Sequence, residues 1–80
     1  MEEFKSPRHD AVRRYLKMKR VEAELSQSEL AARMGRRQQW ISDIESGQHR
    51  VSVVEFLEFA DALGFDVRSA IRKLHAVPAR

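Results

Sequence analysis

Two adjacent glutamines, Gln38 and Gln39, carry the clearest hydrogen-bonding chemistry in the sequence. A side-chain amide holds one acceptor oxygen and two N–H donors, so it can form a two-point hydrogen bond with a flat polar partner such as the N6 and N7 edge of adenine. Ser42 follows one helical turn later, and Arg37 directly precedes the pair. These residue types predict a surface that recognises its partner by hydrogen bonds and charge.

The sequence contains no comparable set of residues for catalysis or metal binding. His9, His49 and His75 are far apart, and the chain has no cysteine, which excludes disulfides and thiolate metal sites. There is no glycine-rich phosphate loop and no Ser/His/Asp set at recognisable spacing. We therefore expect no enzymatic activity, no metal, no cofactor and no small-molecule ligand.

Two short helices position the glutamines. Ser26 and Glu29 have the spacing of a capping box at the start of the first, and Gly35 predicts its end. The second is expected from near Arg37 to about Ser46, with Gly47 as a left-handed stop. Their predicted inner stripes are Leu30, Ala31 and Met34 in the first helix, and Trp40, Ile41 and Ile44 in the second. For Trp40, this neighbourhood favours core packing over base stacking.

Three further helices complete an all-α domain of five helices, expected at residues 10–76 between a flexible segment at 1–9 and a tail at 77–80. The first is expected to begin at Ser6-Pro7 or Asp10 and to end near Ala23. Ser52 and Asp66 predict the caps of the other two. The predicted core positions are Val12, Leu16 and Ala23 in the first helix, Val53, Phe56, Phe59, Ala60 and Leu63 in the fourth, and Val67, Ala70, Ile71 and Leu74 in the fifth, with Ile71 favoured as a residue that completes the core.

Charge is distributed unevenly along the chain. The net charge is only +3, but basic residues crowd the first twenty positions and flank the two-helix motif, whereas Glu55, Glu58, Asp61 and Asp66 lie beyond it. A basic half opposite an acidic half suits a polyanion bound on one side. No apolar run approaches membrane-spanning length and the N-terminus lacks the apolar part of a signal peptide, so we expect a cytoplasmic protein that does not enter membranes.

The motif resembles the helix-turn-helix of Cro/cI-type, phage-repressor-like (XRE-type) regulators. The matching residues, spread over about residues 12 to 75, are Leu25-Ser26-Gln27, Leu30-Ala31, Gly35, Gln38, Ile41-Ser42, Ile44-Glu45, Gly47, Ala60 and Ala62-Leu63-Gly64. The resemblance implies a lambda-repressor-like fold and sequence-specific binding of double-stranded DNA by a transcriptional regulator, most often a repressor of a bacterium or its phage.

The resemblance also implies roles for single residues. Gln38 would read bases while held by Gln27, which also reaches a phosphate, and Arg20 would pair with Glu45. Arg37, Gln39 and Ser42 join Gln38 as candidate base-reading residues. The candidate phosphate contacts are Gln27, Arg36, Ser46, Gln48, His49 and Arg50, although a solvated loop position is an equal alternative for His49.

Three positions leave questions open at this stage. Arg37 stands where the family usually has a Ser or Thr helix cap, and a guanidinium there could reach guanine or a phosphate. Glu24 stands where many members have glycine, so a left-handed backbone there would cost about 1 kcal/mol. The carboxylate of Asp43 could pair with an arginine or accept a hydrogen bond from cytosine.

We expect a homodimer, because one such motif reads too few base pairs to define a unique site. The expected interface comprises apolar residues on and around the last two helices: Leu57, Phe65, Val67, Ile71 and Leu74. The alternative is an antitoxin-like or protein-interaction module that uses the same fold to bind another protein.

Overall fold

Five α-helices make up the computed structural model, which describes residues 6–80. They are α1 (Pro7–Glu22), α2 (Gln27–Met34), α3 (Gln38–Ser46), α4 (Val53–Leu63) and α5 (Val67–His75). The described residues contain no strand. The predicted all-α fold is confirmed. Helix α3 lies against both α1 and α2, and α4 and α5 close the other side of the core.

Helix α1 begins at Pro7 because the side chain of Ser6 accepts a hydrogen bond from the backbone N–H of His9. The helix therefore begins three residues before the domain boundary expected at residue 10. Residues 1–5 of the expected flexible segment lie outside the described residues. At the other end Ala23 is the C-cap, close to the predicted stop.

The local signals for the other helices are confirmed. Ser26 and Glu29 form the predicted reciprocal capping box of α2, and Ser52 and Glu55 form that of α4. Gly47 ends α3 with φ +88°, the left-handed conformation that a residue without Cβ adopts most readily. Glu24 adopts φ +59° between α1 and α2, so the left-handed backbone considered for this position is present with a glutamate in it.

Five large side chains with relative exposure below 2 % form the centre of the core: Leu16, Leu30, Ile41, Ile44 and Phe59. The half-buried Trp40 stacks on Phe59, with ring centroids 5.5 Å apart and planes 14° apart. Core packing therefore accounts for the indole, as its apolar neighbours in the sequence predicted.

Three predicted core positions are wrong. Val53, the first residue of α4, is 78 % exposed, because its side chain lies on the open first turn of the helix. Ala23 is exposed at the end of α1. Ile71 is 50 % exposed, whereas its neighbour Ala70 is fully buried. Adjacent residues of a helix are about 100° apart, and the small Ala70 side chain lets α5 approach the core closely.

Candidate nucleic-acid interface

Helix α3 has one buried and one exposed face. Ile41 and Ile44 are 0 % exposed and anchor the helix in the core. On the other side Gln38 and Gln39 are exposed and Ser42 is half-buried. Both glutamines lie in the first turn, so their amides project from the N-terminal end of a helix whose opposite face is fixed by packing.

A two-point ion pair connects α1 to the end of α3. The guanidinium of Arg20 donates from Nε to Glu45 Oε2 over 2.6 Å and from Nη2 to Glu45 Oε1 over 3.0 Å. Its third donor, Nη1, bonds the carbonyl oxygen of Leu25 at 2.8 Å. The side chains of Arg20 and Glu45 are only 11 % and 6 % exposed, and the hydrogen bonds of Glu45 raise the pKa of Arg20. The ion pair expected between these residues is therefore present and is largely shielded from solvent.

Hydrogen bonds extend from this ion pair to the surface glutamine. Gln27 Nε2 donates to Glu45 Oε1 over 2.9 Å, and Gln38 Nε2 donates to Gln27 Oε1 over 2.6 Å. Since a carboxylate only accepts, it fixes which end of the Gln27 amide faces inward, and Gln27 in turn fixes the amide of Gln38. Gln38 therefore retains its oxygen and one N–H for a partner, in a fixed orientation.

The second glutamine is held within α3. Gln39 Nε2 donates to Asp43 Oδ1 over 2.9 Å, one turn along the helix. The Asp43 carboxylate thus has a partner that neither of the two sequence-based alternatives included. Arg37 is the N-cap of α3, directly before the two glutamines; it is exposed and makes no side-chain cap hydrogen bond.

The turn after α3 is fixed from α1 by a residue that sequence reasoning missed. Arg13 Nη1 donates to the backbone oxygen of Glu45 over 2.9 Å, and the Arg13 side chain lies against Gly47. Arg13 and Arg20 are seven residues apart, which places them on one face of α1. This spacing was the available signal: one arginine holds the carboxylate of Glu45 and the other holds its carbonyl group.

Positive charge accumulates where the start of α1 meets the loop between α3 and α4. The pKa of His9 is lowered from its ordinary 6.5 by burial and by the nearby guanidinium groups of Arg50 and Arg13, against the opposing effect of Asp10. Gln48 and His49 donate their backbone N–H groups to the carbonyl oxygen of Asp43, which orders this loop. The arrangement places fixed positive charge beside an ordered loop next to α3.

Several candidate phosphate contacts besides Gln27 have internal partners. Arg36 Nη2 pairs with Glu58 Oε1 at 3.1 Å, and its guanidinium lies 4.0 Å from the centre of the Trp40 ring. The Ser46 hydroxyl donates to the carbonyl oxygen of Asp43. His49 lies 3.3 Å from Glu55 Oε1. A phosphate would have to compete with these partners at Arg36, Ser46 and His49.

The contact with His49 also affects the carboxylate of Glu55. Burial alone would raise the pKa of Glu55, but the backbone N–H of Ser52 and the His49 ring outweigh it and leave that pKa lowered. The loop that follows α3 is thereby joined to the capping box of α4. The imidazole of His49 is held beside the Trp40 ring, with centroids 5.9 Å apart.

Residues 6–80 contain no candidate metal site and no membrane-spanning helix. No three His, Asp or Glu side chains come together there in a way that could hold a metal ion. Within the same residues, every helix is too short or too polar to cross a membrane.

Comparisons with known proteins identify the family to which this fold belongs. The helix-turn-helix domain family matches residues 11–73. A solved structure of an XRE-family like protein from Pseudomonas syringae pv. tomato str. DC3000 superposes with a TM-score of 0.80 and 38 % sequence identity, over 86 % of this chain and 84 % of that one. No curated protein matches the chain. The extent of these matches, together with the α2–α3 geometry, shows that the chain belongs to the XRE-type family of helix-turn-helix proteins, which are DNA-binding regulators of transcription.

Proposed function

We propose that this protein is a sequence-specific transcriptional repressor that reads the major groove of double-stranded DNA with α3. The observation that carries the proposal is the exposed Gln38 amide, held in one orientation through Gln27 by the buried pair of Glu45 and Arg20. Since the proposed partner is genomic DNA, we place the protein in the cytoplasm of a bacterium, as a host or phage protein.

The free hydrogen-bonding groups of Gln38 suit adenine. Its oxygen can accept from adenine N6 while its remaining N–H donates to N7, a bidentate contact worth about 1–3 kcal/mol of discrimination against other bases. Gln39 and Ser42 would contact neighbouring base pairs, and Arg37 would reach a base or phosphate at the open end of the helix. Backbone amides at the start of α2, with Gln27, Gln48 and Arg50, would hold the flanking phosphates.

We further propose that the protein binds as a two-fold dimer on a palindromic operator, with half-sites about 34 Å apart. An apolar groove between α4 and α5 supports a second copy as its occupant. Leu57 and Ile71 are 44 % and 50 % exposed on its sides. Exposed side chains of opposite charge on the two helices could pair between copies, because α4 carries Asp61 and α5 carries Arg68, Arg72 and Lys73.

Part of the expected interface is already used within the monomer. The Phe65 ring lies against both Tyr15 and Phe56, with centroid distances of 5.4 and 5.5 Å. It therefore belongs to the core and is omitted from the proposed interface. Val67 and Leu74 are half-buried at the floor of the groove. Leu57 and Ile71 are the residues that a second copy would cover.

Selection of binding sites from randomised duplex DNA tests the proposed function. We expect one enriched palindromic motif with adenine at the position read by Gln38. Gln38→Ala should lose about 1–3 kcal/mol on that motif and relax the preference at one base pair. Arg50→Ala should instead weaken binding to specific and non-specific duplexes alike and flatten the salt dependence. Enrichment of no motif, or wild-type affinity and specificity in Gln38→Ala, would contradict the proposal.

Light scattering with and without the selected duplex tests the dimer. Leu57→Glu should remain folded but bind the operator with little cooperativity, because it places a charge in the apolar groove. Val21→Glu is the matched control, since Val21 is 56 % exposed on α1 and lies outside the groove. Saturation by one protomer on a non-palindromic site would contradict the dimer and leave the groove for a different protein.

A further inference from the structure

The contact between Gln39 and Asp43 has a consequence for base specificity that rests on the proposed DNA-reading role of α3. Gln39 is exposed in the first turn, and its Nε2 group donates to Asp43 Oδ1 at 2.9 Å. The carboxylate has no proton to donate, so the amide must turn its NH2 group toward Asp43. Gln39 is then left with its oxygen and one N–H.

The main chain of Asp43 is well anchored, which fixes the point from which its short side chain projects. Its carbonyl oxygen accepts backbone N–H groups from Gln48 at 2.7 Å and from His49 at 3.2 Å. The hydroxyl of Ser46 also donates to this oxygen, at 3.3 Å. The helix end and the following loop therefore converge on this residue. A rigid acceptor of this kind can impose an orientation on a flexible glutamine.

We infer that Asp43 is a specificity-determining residue that makes Gln39 favour adenine and reject guanine. In the major groove adenine presents a donor at N6 and an acceptor at N7, whereas guanine presents two acceptors at O6 and N7. The oxygen and single N–H left on Gln39 match adenine. Guanine requires two donors from one amide, and Asp43 already occupies one of them.

The orientation of Gln39 is controlled separately from that of Gln38. The amide of Gln38 is fixed through Gln27 and Glu45, whereas that of Gln39 is fixed by Asp43 within α3. A change at Asp43 should thus alter recognition at one base pair and leave the base pair read by Gln38 unchanged. A general loss of helix stability would instead weaken recognition at both base pairs, so the base pair read by Gln38 serves as an internal control.

The test uses the full chain and four duplexes that differ only at the base pair whose preference disappears in Gln39→Ala. Wild type should prefer adenine to guanine there by about 5- to 100-fold, the range of a bidentate contact. Asp43→Asn should reduce this ratio at least about fivefold, because an asparagine can also donate and so allows the Gln39 amide to turn over. Asp43→Glu, which keeps an acceptor-only group, should retain the preference for adenine.

Glu22→Gln controls for the change in net charge, since Glu22 is an exposed carboxylate on α1 and lies outside the groove. It should leave the ratio between the four duplexes unchanged. An equal gain in affinity for all four duplexes in Asp43→Asn would show a purely electrostatic role and overturn the inference. So would an unchanged ratio in Asp43→Asn, or a selected motif that does not depend on Gln39. In each of these cases specific binding by wild type would still support the proposed function, whereas a wild type without any preferred motif would remove both.

Discussion

Replacing Arg20 by methionine should destabilise the fold strongly, because it leaves the buried carboxylate of Glu45 without its counter-charge. The side chain of Glu45 is 6 % exposed and would retain only the Gln27 amide as a side-chain hydrogen-bond donor. The carbonyl oxygen of Leu25 would lose its guanidinium donor as well. Loss of one partner of a buried ion pair costs about 3–5 kcal/mol. A domain of this length has a total stability of only about 4–12 kcal/mol.

A double-mutant cycle with Glu45→Gln separates the pair from the rest of the structure. Each single change leaves one buried charge without its counter-charge, whereas the double variant leaves none. The double variant should therefore be less destabilised than the sum of the single ones. Coupling energies between contacting residues are about 0.5–3 kcal/mol, and the two-point, nearly dry geometry of this pair predicts the upper half of that range.

Urea unfolding followed by circular dichroism supplies the free energies of unfolding. A second cycle, Arg14→Met with Asp10→Asn, is the matched control on the same helix, because Arg14 pairs with Asp10 but is 72 % exposed. Its coupling should lie below about 0.5 kcal/mol and fall in high salt. Strict additivity in the Arg20 and Glu45 cycle would refute the reasoning that this pair holds α3.

Four further variants test other parts of the fold. Glu24→Gly should raise the free energy of unfolding by about 0.5–1 kcal/mol, because it removes a glutamate from a left-handed backbone position. Gly64→Ala, at φ +73°, should lower the free energy of unfolding by about 1 kcal/mol. The urea midpoints of both variants check these signs, and opposite signs would contradict the backbone argument. Arg37→Ser should stabilise α3 by about 1 kcal/mol through a new cap while weakening binding to the selected duplex; equal or better binding would remove Arg37 from the interface. The hydrogen bond from the backbone N–H of Ser26 lowers the pKa of Glu29 from its ordinary 4.5. The stability contributed by the Glu29 carboxylate is therefore present above pH 4.5 and is lost as the pH falls below that value. Glu29→Gln should show a smaller loss of stability on acidification, and an unchanged pH profile would contradict this assignment.

Features encoded by neighbouring residues could be predicted from the sequence. The capping boxes at Ser26 and Ser52 depend on a partner three residues away, and the end of α3 depends on Gly47 itself. The pair of Arg20 and Glu45 lies 25 residues apart and was expected only because the chain resembles a known family.

Features that depend on tertiary contacts could not be predicted in the same way. Helical spacing placed Val53 and Ile71 on apolar faces, but Val53 lies on the open first turn of α4 and α5 packs through Ala70, so both side chains are exposed. The contact of Arg36 with Glu58 joins the turn between α2 and α3 to α4, and periodicity cannot place these two segments next to each other. Gln39 and Asp43, by contrast, have the spacing of neighbours on one helix, so their hydrogen bond was readable from the sequence and was overlooked.

The most direct test of DNA reading by α3 removes a single base atom. In the selected duplex, the adenine assigned to Gln38 is replaced by 7-deazaadenine, which lacks the N7 acceptor but keeps Watson–Crick pairing. Wild type should lose about 1 kcal/mol of binding free energy, the value of one hydrogen bond. Gln38→Ala should bind the normal and modified duplexes equally, because it cannot make this bond. An equal loss in wild type and Gln38→Ala, or no loss in wild type, would contradict the claim that Gln38 reads this base.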